Sequence, residues 1–417
     1  MSYIEINGGK QLNGEVNIQG SKNAVLPILA ATVLVNGITK LNHCPKILDV
    51  FNTISILEAI GCKVYWENSS LIIDTTKLNT STVPDEYVKQ MRSSTIFMGA
   101  LLGRTNSVTI SYPGGCTIGK RPINFHLEAF QEMNVSVEDD GNLIHCTTKR
   151  VKGSNIFFKM PSVGATENVI LAAVLAEGKT HIYNAAREPE ITELCKYLNA
   201  AGAKITGAGK DEIVIDGVDY LHAVEYTNPS DRIVAGTYLT AVAGTGGEAV
   251  LNGIGCSSLQ TVISLLKEMG NTIICGEDYI MISSSGKTKP IPFIYTAPYP
   301  GFPTDMQSQM MSVLIKASGT SNIYEEVFEN RYQNVPELIK FGADIVINDK
   351  EATINGVSLL KGSDVFASDL RGGAGLVIAG LMATGKTTIH NPDFIKRGYE
   401  DICKDLRNLG ADIRYMS

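Results

Sequence analysis

The sequence predicts an α/β fold built from six consecutive β-α-β-α-β-β repeats. Three observations predict it. A helix ending, a tight corner and an alternating strand recur at Gly61, Asn134, Gly202, Gly270, Gly342 and Gly410, in steps of 73, 68, 68, 72 and 68 residues. Glycine just past a helix is the usual left-handed cap and asparagine its usual substitute, so Asn134 is the same corner as the five glycines. Each repeat also carries an apolar helix, as in NAVLPILAATVL or TENVILAAVLA, and a pair of short alternating strands, as in CKVYWENSSLIID.

Taken in order, a short strand leads through a turn into the apolar helix. A second strand, a loop and an amphipathic helix follow, then the corner and two further strands. The corners read LEAIGCKV, FQEMNVSV, LNAAGAKI, LKEMGNTI, IKFGADIV and LRNLGADI. The sixth repeat stops at GADIRYM without its last strand, and YIEINGG at the start of the chain resembles the missing one. The expectation is that this first strand completes the last repeat, which puts both termini in one domain. The division is then residues 1–21 plus 230–417 for the domain with the termini, and 22–229 for an inserted domain, with three repeats in each. A single open solenoid is the weaker alternative, because solenoid ends need polar caps and none is visible.

Of 417 residues, 44% are apolar and 19% charged, enough for a large core and too apolar for wholesale disorder. The net charge of −7 argues against a general nucleic-acid binder. No apolar run approaches the roughly 18 residues of a membrane span. The start, MSYIEINGGK, lacks a secretory signal pattern, so the expected location is the cytoplasm. Eight cysteines include no CxxC pair, and neither a zinc site nor a disulfide framework is expected. Seven read as small buried hydrophobes.

The helix starts carry the chemistry. Ahead of the first helices stand Lys22 and Asn23 in GSKNA, Arg92 in MRSST, Ser162 and Gly164 in PSVGATEN, Arg232 in NPSDRI, Asp305 in YPGFPTDMQ, and Asp369 with Arg371 in SDLRGG. Ahead of the second helices stand Cys116, Lys120, Arg121 and His126 in PGGCTIGKRPINFH, then Arg187 with Glu188, Arg331, and Arg397. A helix start already favours anions, so a cation there is locally unfavourable. One such cation is an ordinary solvated charge. Their recurrence at equivalent points of quasi-symmetric repeats predicts convergence on one polyanionic small ligand, for which arginine forks are suited. Cys116 follows a Pro-Gly-Gly turn and precedes two cations, which lower a thiol pKa, so it reads as a reactive thiol. A dyad of Cys116 with His126 is left open by their spacing. The stretch ATGKTT at 383–388 ends like a phosphate loop but lacks its upstream glycine, and reads as a turn.

At GSKNA (20–24), PGGCTIGKRP (113–122), PSVGATEN (161–168), FPTD (302–305), RGGA (371–374) and RGYE (397–400) the sequence resembles the enolpyruvyl transferases over essentially its whole length. Among them it is most similar to the branch with a UDP-sugar acceptor. The branch that uses shikimate 3-phosphate shares the fold but not the Cys loop. The resemblance implies a two-domain inside-out α/β barrel with helix N-termini facing an interdomain cleft. It implies transfer of the enolpyruvyl group of phosphoenolpyruvate to the 3′-hydroxyl of UDP-N-acetylglucosamine, by addition and elimination, as the first committed step of bacterial peptidoglycan synthesis. No cofactor, metal, nucleic acid or membrane insertion is implied. Lys22, Asn23, Arg121 and Arg397 match residues that hold phosphoenolpyruvate. Cys116 matches the loop cysteine that protonates the methylene carbon and is the target of the epoxide fosfomycin. Asp305 matches the carboxylate beside the sugar hydroxyl. Arg92, Arg121, Pro122, Ile123, Asn124, Phe125, Ser162, Val163, Gly164 and Val327 match contacts to the UDP-sugar. Arg232, Arg331, Asp369 and Arg371 match a supporting charged shell. A non-catalytic paralogue that binds the UDP-sugar is the alternative of another class, and the presence of Cys116, Asp305 and Arg397 argues against it.

The chain departs from the family where RPxDLH is expected and RPINFH stands, with Asn124 in place of an aspartate. Asparagine keeps one carbonyl acceptor and loses the charge. Steady-state kinetics of Asn124→Asp should therefore show the KM for the sugar nucleotide changed more than kcat; an unaltered KM would refute the assignment.

Overall fold

The computed structural model describes residues 2–114, 118–119 and 122–416. Among the described residues, five four-stranded sheets and one three-stranded sheet realise the six repeats. All six corners are left-handed, with φ of 99° at Gly61, 66° at Asn134, 104° at Gly202, 99° at Gly270, 93° at Gly342 and 89° at Gly410. Each reverses the chain from an outer helix into a strand pair, such as Lys63–Glu67 with Ser70–Asp74.

The first helices of the six repeats are α1 (Lys22–Ala31), α2 (Phe97–Thr105), α3 (Val163–Ala173), α4 (Arg232–Thr245), α5 (Gln307–Leu314) and α6 (Leu370–Met382). They are apolar nearly all round and largely buried, as a helix without a polar face must be. The chain divides into two compact units. Unit 1 comprises Met1–Gln19, Thr117–Gly119 and Ser230–Ser417, and unit 2 Gly20–Cys116 and Lys120–Pro229. Within unit 2, α2 packs on α1 and α3; within unit 1, α4, α5 and α6 pack on one another. Small residues permit the close approach. A Cβ on Gly99 of α2 would sit 2.2 Å from the Asn168 carbonyl oxygen of α3, and one on Gly375 of α6 would sit 2.9 Å from that of Ser308 in α5. Each unit has its own apolar core around its helices.

The strand at the start of the chain, Tyr3–Asn7, lies between Lys386–His390 and Asp412–Met416, antiparallel to both. Two strands are exchanged. Leu12–Asn17, the first strand of repeat one, pairs in parallel with Gly247–Asn252 of repeat four. Glu225–Thr227, the first strand of repeat four, pairs with Ile38–Asn42 of repeat one. The chain passes from one unit to the other directly after each of these strands, so each strand stays behind in the sheet of the unit being left.

Two expectations are corrected. Repeat two has no first strand: Thr82 makes only an isolated bridge to Thr109. Pro84 follows two residues on, after the Val83 N–H has donated to the Thr109 carbonyl, and lacks the N–H that would extend the ladder. Cys256 and Cys275 are not isolated core residues; they form a disulfide across 19 residues of sequence. The outer helix Gln260–Glu268 folds the strand bearing Cys275 back beside the short helix bearing Cys256, a proximity that linear spacing does not reveal. Cys44, Cys62, Cys146, Cys195 and Cys403 are buried, as expected. Burial pushes the thiols of Cys62, Cys146, Cys195 and Cys403 up to about 12, which keeps them protonated and unreactive. Among the described residues no helix is long and apolar enough to cross a membrane.

Candidate active site

In unit 2 the start of α1 is capped by Ser21, whose hydroxyl accepts from the Ala24 N–H at 3.3 Å. This places Lys22 at the first helical position, where its buried ammonium lies 2.8 Å from Asp49 Oδ2. An ammonium out of water requires a counter-charge, and Asp49 is itself buried. No sequence motif marks Asp49, which comes from the next helix. Asn23 follows on α1, half-buried. Arg92 opens the 3-10 turn Arg92–Ile96 that leads into α2.

Ser162 caps α3 by accepting from the Ala165 N–H at 3.4 Å, which leaves Val163 exposed on the first turn. Gly164 faces the His126 ring: a Cβ there would lie 3.2 Å from Cε1. His126 is buried, and its Nδ1 accepts from Asn168 Nδ2 at 2.9 Å. Asn168 Oδ1 in turn accepts from the Gly99 N–H at 2.6 Å, so this histidine belongs to a polar tie between helices. Pro122 and Asn124 are exposed, Ile123 is buried, and Phe125 packs 6.3 Å from Phe158. Asn124 donates to Glu128 Oε1, one turn along its helix, at 3.3 Å. Cys116, Lys120 and Arg121 lie outside the described residues.

In unit 1 the structure gathers three of the sequence-assigned charges. Asp305 sits in the 3-10 turn Thr304–Met306 that leads into α5. Its Oδ1 accepts from Arg331 Nη2 at 3.0 Å and its Oδ2 from Arg371 Nη2 at 2.8 Å. Both arginine side chains are 3% exposed, and the carboxylate side chain is 28% exposed. One carboxylate, a donor on each oxygen, thus fixes two buried guanidiniums from different repeats. Arg331 Nη2 also donates to the Thr304 carbonyl at 3.1 Å. Burial opposes the charge on Arg371, and the Asp305 carboxylate, with Tyr399 and Asp231, more than offsets it, so its pKa is raised. Arg331 Nε and Arg371 Nη1 are buried without a hydrogen-bond partner among the described residues. Orphaned charged donors of this kind are costly unless an acceptor arrives.

The remaining assigned charges of unit 1 lie at the starts and ends of its helices. Asp369 caps α6, its Oδ1 accepting from the N–H groups of Arg371 at 2.9 Å and Gly372 at 3.0 Å. Arg232 begins α4 under the Asp231 cap, with its guanidinium carbon 6.0 Å from the centre of the Tyr299 ring. Arg397 ends the short helix Asp393–Lys396 and is half-buried. Val327 is exposed, and its N–H donates to Glu325 Oε1 at 3.0 Å. Sequence reasoning missed Glu325. Buried itself, it accepts from Thr296 and Phe328 through Oε1 and from Thr304 through Oε2, tying the Val327 segment to the residue before Asp305. Its only sequence signal is an acid at the end of a strand, which is common.

A model of EPSP synthase (3-phosphoshikimate 1-carboxyvinyltransferase) matches residues 6–406. A protein of Caldanaerobacter subterraneus named UDP-N-acetylglucosamine 1-carboxyvinyltransferase 2 is 48% identical over 413 residues, 99% of each chain. UDP-N-acetylglucosamine 1-carboxyvinyltransferase of Acinetobacter baylyi is 43% identical over 418 residues, 100% of each chain. The crystal structure of the enolpyruvyl transferase NikO from Streptomyces tendae is similar with a TM-score of 0.89 at 26% identity, covering 100% of this chain and 99% of that one. EPSP synthase from Acinetobacter baumannii is similar with a TM-score of 0.76 at 20% identity over 100% of both chains, a likeness of fold.

Removing the clamp carboxylate should be destabilising. Asp305→Ala leaves two buried guanidiniums without their shared counter-charge and should cost about 3 kcal/mol. Glu326→Ala, which removes an exposed partner 3.8 Å from Lys350, should cost less than about 1 kcal/mol. Denaturant melts of both variants check this, and equal losses would contradict the clamp.

Proposed function

This chain belongs to the EPSP synthase, or enolpyruvyl transferase, family, and from that premise we propose that it transfers the enolpyruvyl group of phosphoenolpyruvate to the 3′-hydroxyl of UDP-N-acetylglucosamine, releasing phosphate. The reading is that of a cytoplasmic transferase of peptidoglycan synthesis. The observation that carries the chemistry is the Arg331–Asp305–Arg371 clamp: a partly exposed carboxylate held through both oxygens by two guanidiniums, each with a buried nitrogen that lacks a partner among the described residues.

The reaction balances as addition followed by elimination. The 3′-oxygen bonds to C2 of the enol while a proton adds to the methylene carbon, giving a tetrahedral intermediate with a methyl group. Loss of a methyl proton and of phosphate then restores the double bond. In this reading Asp305 accepts the hydroxyl proton, and its fixed orientation serves general-base transfer, which is worth about 10²–10⁴-fold. Cys116 supplies and removes the proton at the methylene carbon. Lys22, Asn23, Arg121 and Arg397 hold the phosphate and carboxylate of phosphoenolpyruvate. Arg331, Arg371 and Arg232 offset the charge that accumulates when two anionic substrates meet, the kind of preorganised stabilisation that is often the largest catalytic contribution. Asp369 orders the start of α6 that carries Arg371. Ser162, Val163, Gly164, Arg92, Val327 and the 122–125 segment form the UDP-sugar contacts, with Asn124 facing the base.

The choice of acceptor rests on the full-length relatives named for UDP-N-acetylglucosamine and on the Cys loop. Phosphate release from phosphoenolpyruvate should occur with UDP-N-acetylglucosamine and not with shikimate 3-phosphate. Cys116→Ala should lower it by about 10²-fold or more. Release with shikimate 3-phosphate would overturn the acceptor, and tight UDP-sugar binding without release would overturn the enzyme in favour of a binding protein.

A further inference from the structure

Gln19 is the last residue of the N-terminal segment of unit 1. Its side chain is buried, and both ends of the amide are committed to one distant turn. Nε2 donates to the Gly398 carbonyl at 3.0 Å, and Oε1 accepts from the Glu400 N–H at 2.8 Å. The amide thus matches the donor and acceptor of the backbone on either side of Tyr399. That tyrosine is fully buried, and its hydroxyl lies 2.8 Å from Thr237 Oγ1 of α4. The Gln19 carbonyl in turn accepts from the Asp231 N–H at 2.9 Å, and Asp231 caps α4.

Arg397 stands immediately before this pinned turn. Its own helix, Asp393–Lys396, is four residues long, and the Arg397 N–H makes a long bond of 3.4 Å to the Phe394 carbonyl. A single helical turn does not hold its own end in water. The Ile395 carbonyl accepts from the Gly398 and Tyr399 N–H groups at 3.1 Å each, and the Gln19 amide adds the long-range tie to the Gly398–Glu400 backbone from 379 residues away in sequence.

We propose that Gln19 is a positioning residue for Arg397: it holds the backbone that presents this guanidinium to phosphoenolpyruvate. The proposal rests on the reading of Arg397 given above. Glutamine suits the task because it alone among residues of this size carries a donor and an acceptor side by side. Glutamate keeps the acceptor for Glu400 and loses the donor for Gly398. Leucine keeps the bulk and loses both.

The test is the steady-state kinetics of Gln19→Leu, with Gln19→Glu as the second variant should the first fail to fold. The KM for phosphoenolpyruvate should rise about three- to tenfold, the effect of losing one or two hydrogen bonds in the supporting backbone. The KM for UDP-N-acetylglucosamine should stay within about twofold of the unsubstituted chain. In an Arg397→Lys background the further rise should shrink to less than about twofold, because residues that act as one unit are not additive. A purely structural role would lower melting temperature and kcat together, move both KM values and add fully to Arg397→Lys; that result, or an unchanged phosphoenolpyruvate KM, would overturn the proposal. The unsubstituted chain is the control: if it releases no phosphate from phosphoenolpyruvate with the UDP-sugar, the enzymatic reading fails and the proposal falls with it, whereas normal release with indifferent variants overturns the proposal alone.

Discussion

Two guanidiniums share one carboxylate in the interior of unit 1, and much else follows from that constraint. Arg331 and Arg371 are almost fully buried and come from repeats five and six. Neither is tenable there without a counter-charge, because burying an ion away from water costs several kcal/mol even after relaxation. Asp305 supplies the charge to both, one oxygen each. The capping side chains around it serve the same end. Asp369 fixes the start of α6, Asp231 the start of α4, and Glu325 ties Thr304 to the following loop. The clamp holds its carboxylate through both oxygens and leaves Arg331 Nε and Arg371 Nη1 buried without a hydrogen-bond partner among the described residues.

The repeat explains how one chain delivers these groups together. Each apolar helix is buried along most of its length, so its start is one of the few points where a charge can be placed near the core. Three such starts in each unit carry Lys22, Arg92 and Ser162, or Arg232, Asp305 and Arg371. Helix dipoles and free N–H groups favour anions at these points, and the cations add to that preference. Close helix packing through Gly99 and Gly375 keeps the starts in register within each unit.

Much of this was legible in the residues. The switch from a helical period to strand alternation at each corner marks the repeat, and all six corners have the left-handed backbone that glycine or asparagine favours. The charges at the helix starts were legible by position. What periodicity does not encode is partnership across long sequence separations. Nothing near Lys22 announces Asp49, and Asp305 meets arginines 26 and 66 residues away. The exchange of Leu12–Asn17 for Glu225–Thr227 is invisible for the same reason, since each strand looks like the opening of its own repeat. The missing first strand of repeat two did carry a signal, in Pro84, and the Cys256–Cys275 bond carried none.

The most direct test of the account is to run the reaction in D₂O and read the vinyl group of the product by mass spectrometry. Addition of the sugar hydroxyl to the enol, with proton transfer to the methylene carbon, passes through a methyl group that mixes solvent deuterium with the original hydrogens. Deuterium is therefore expected in the vinyl group of enolpyruvyl-UDP-N-acetylglucosamine. A product whose vinyl hydrogens all derive from phosphoenolpyruvate would contradict addition and elimination at this site.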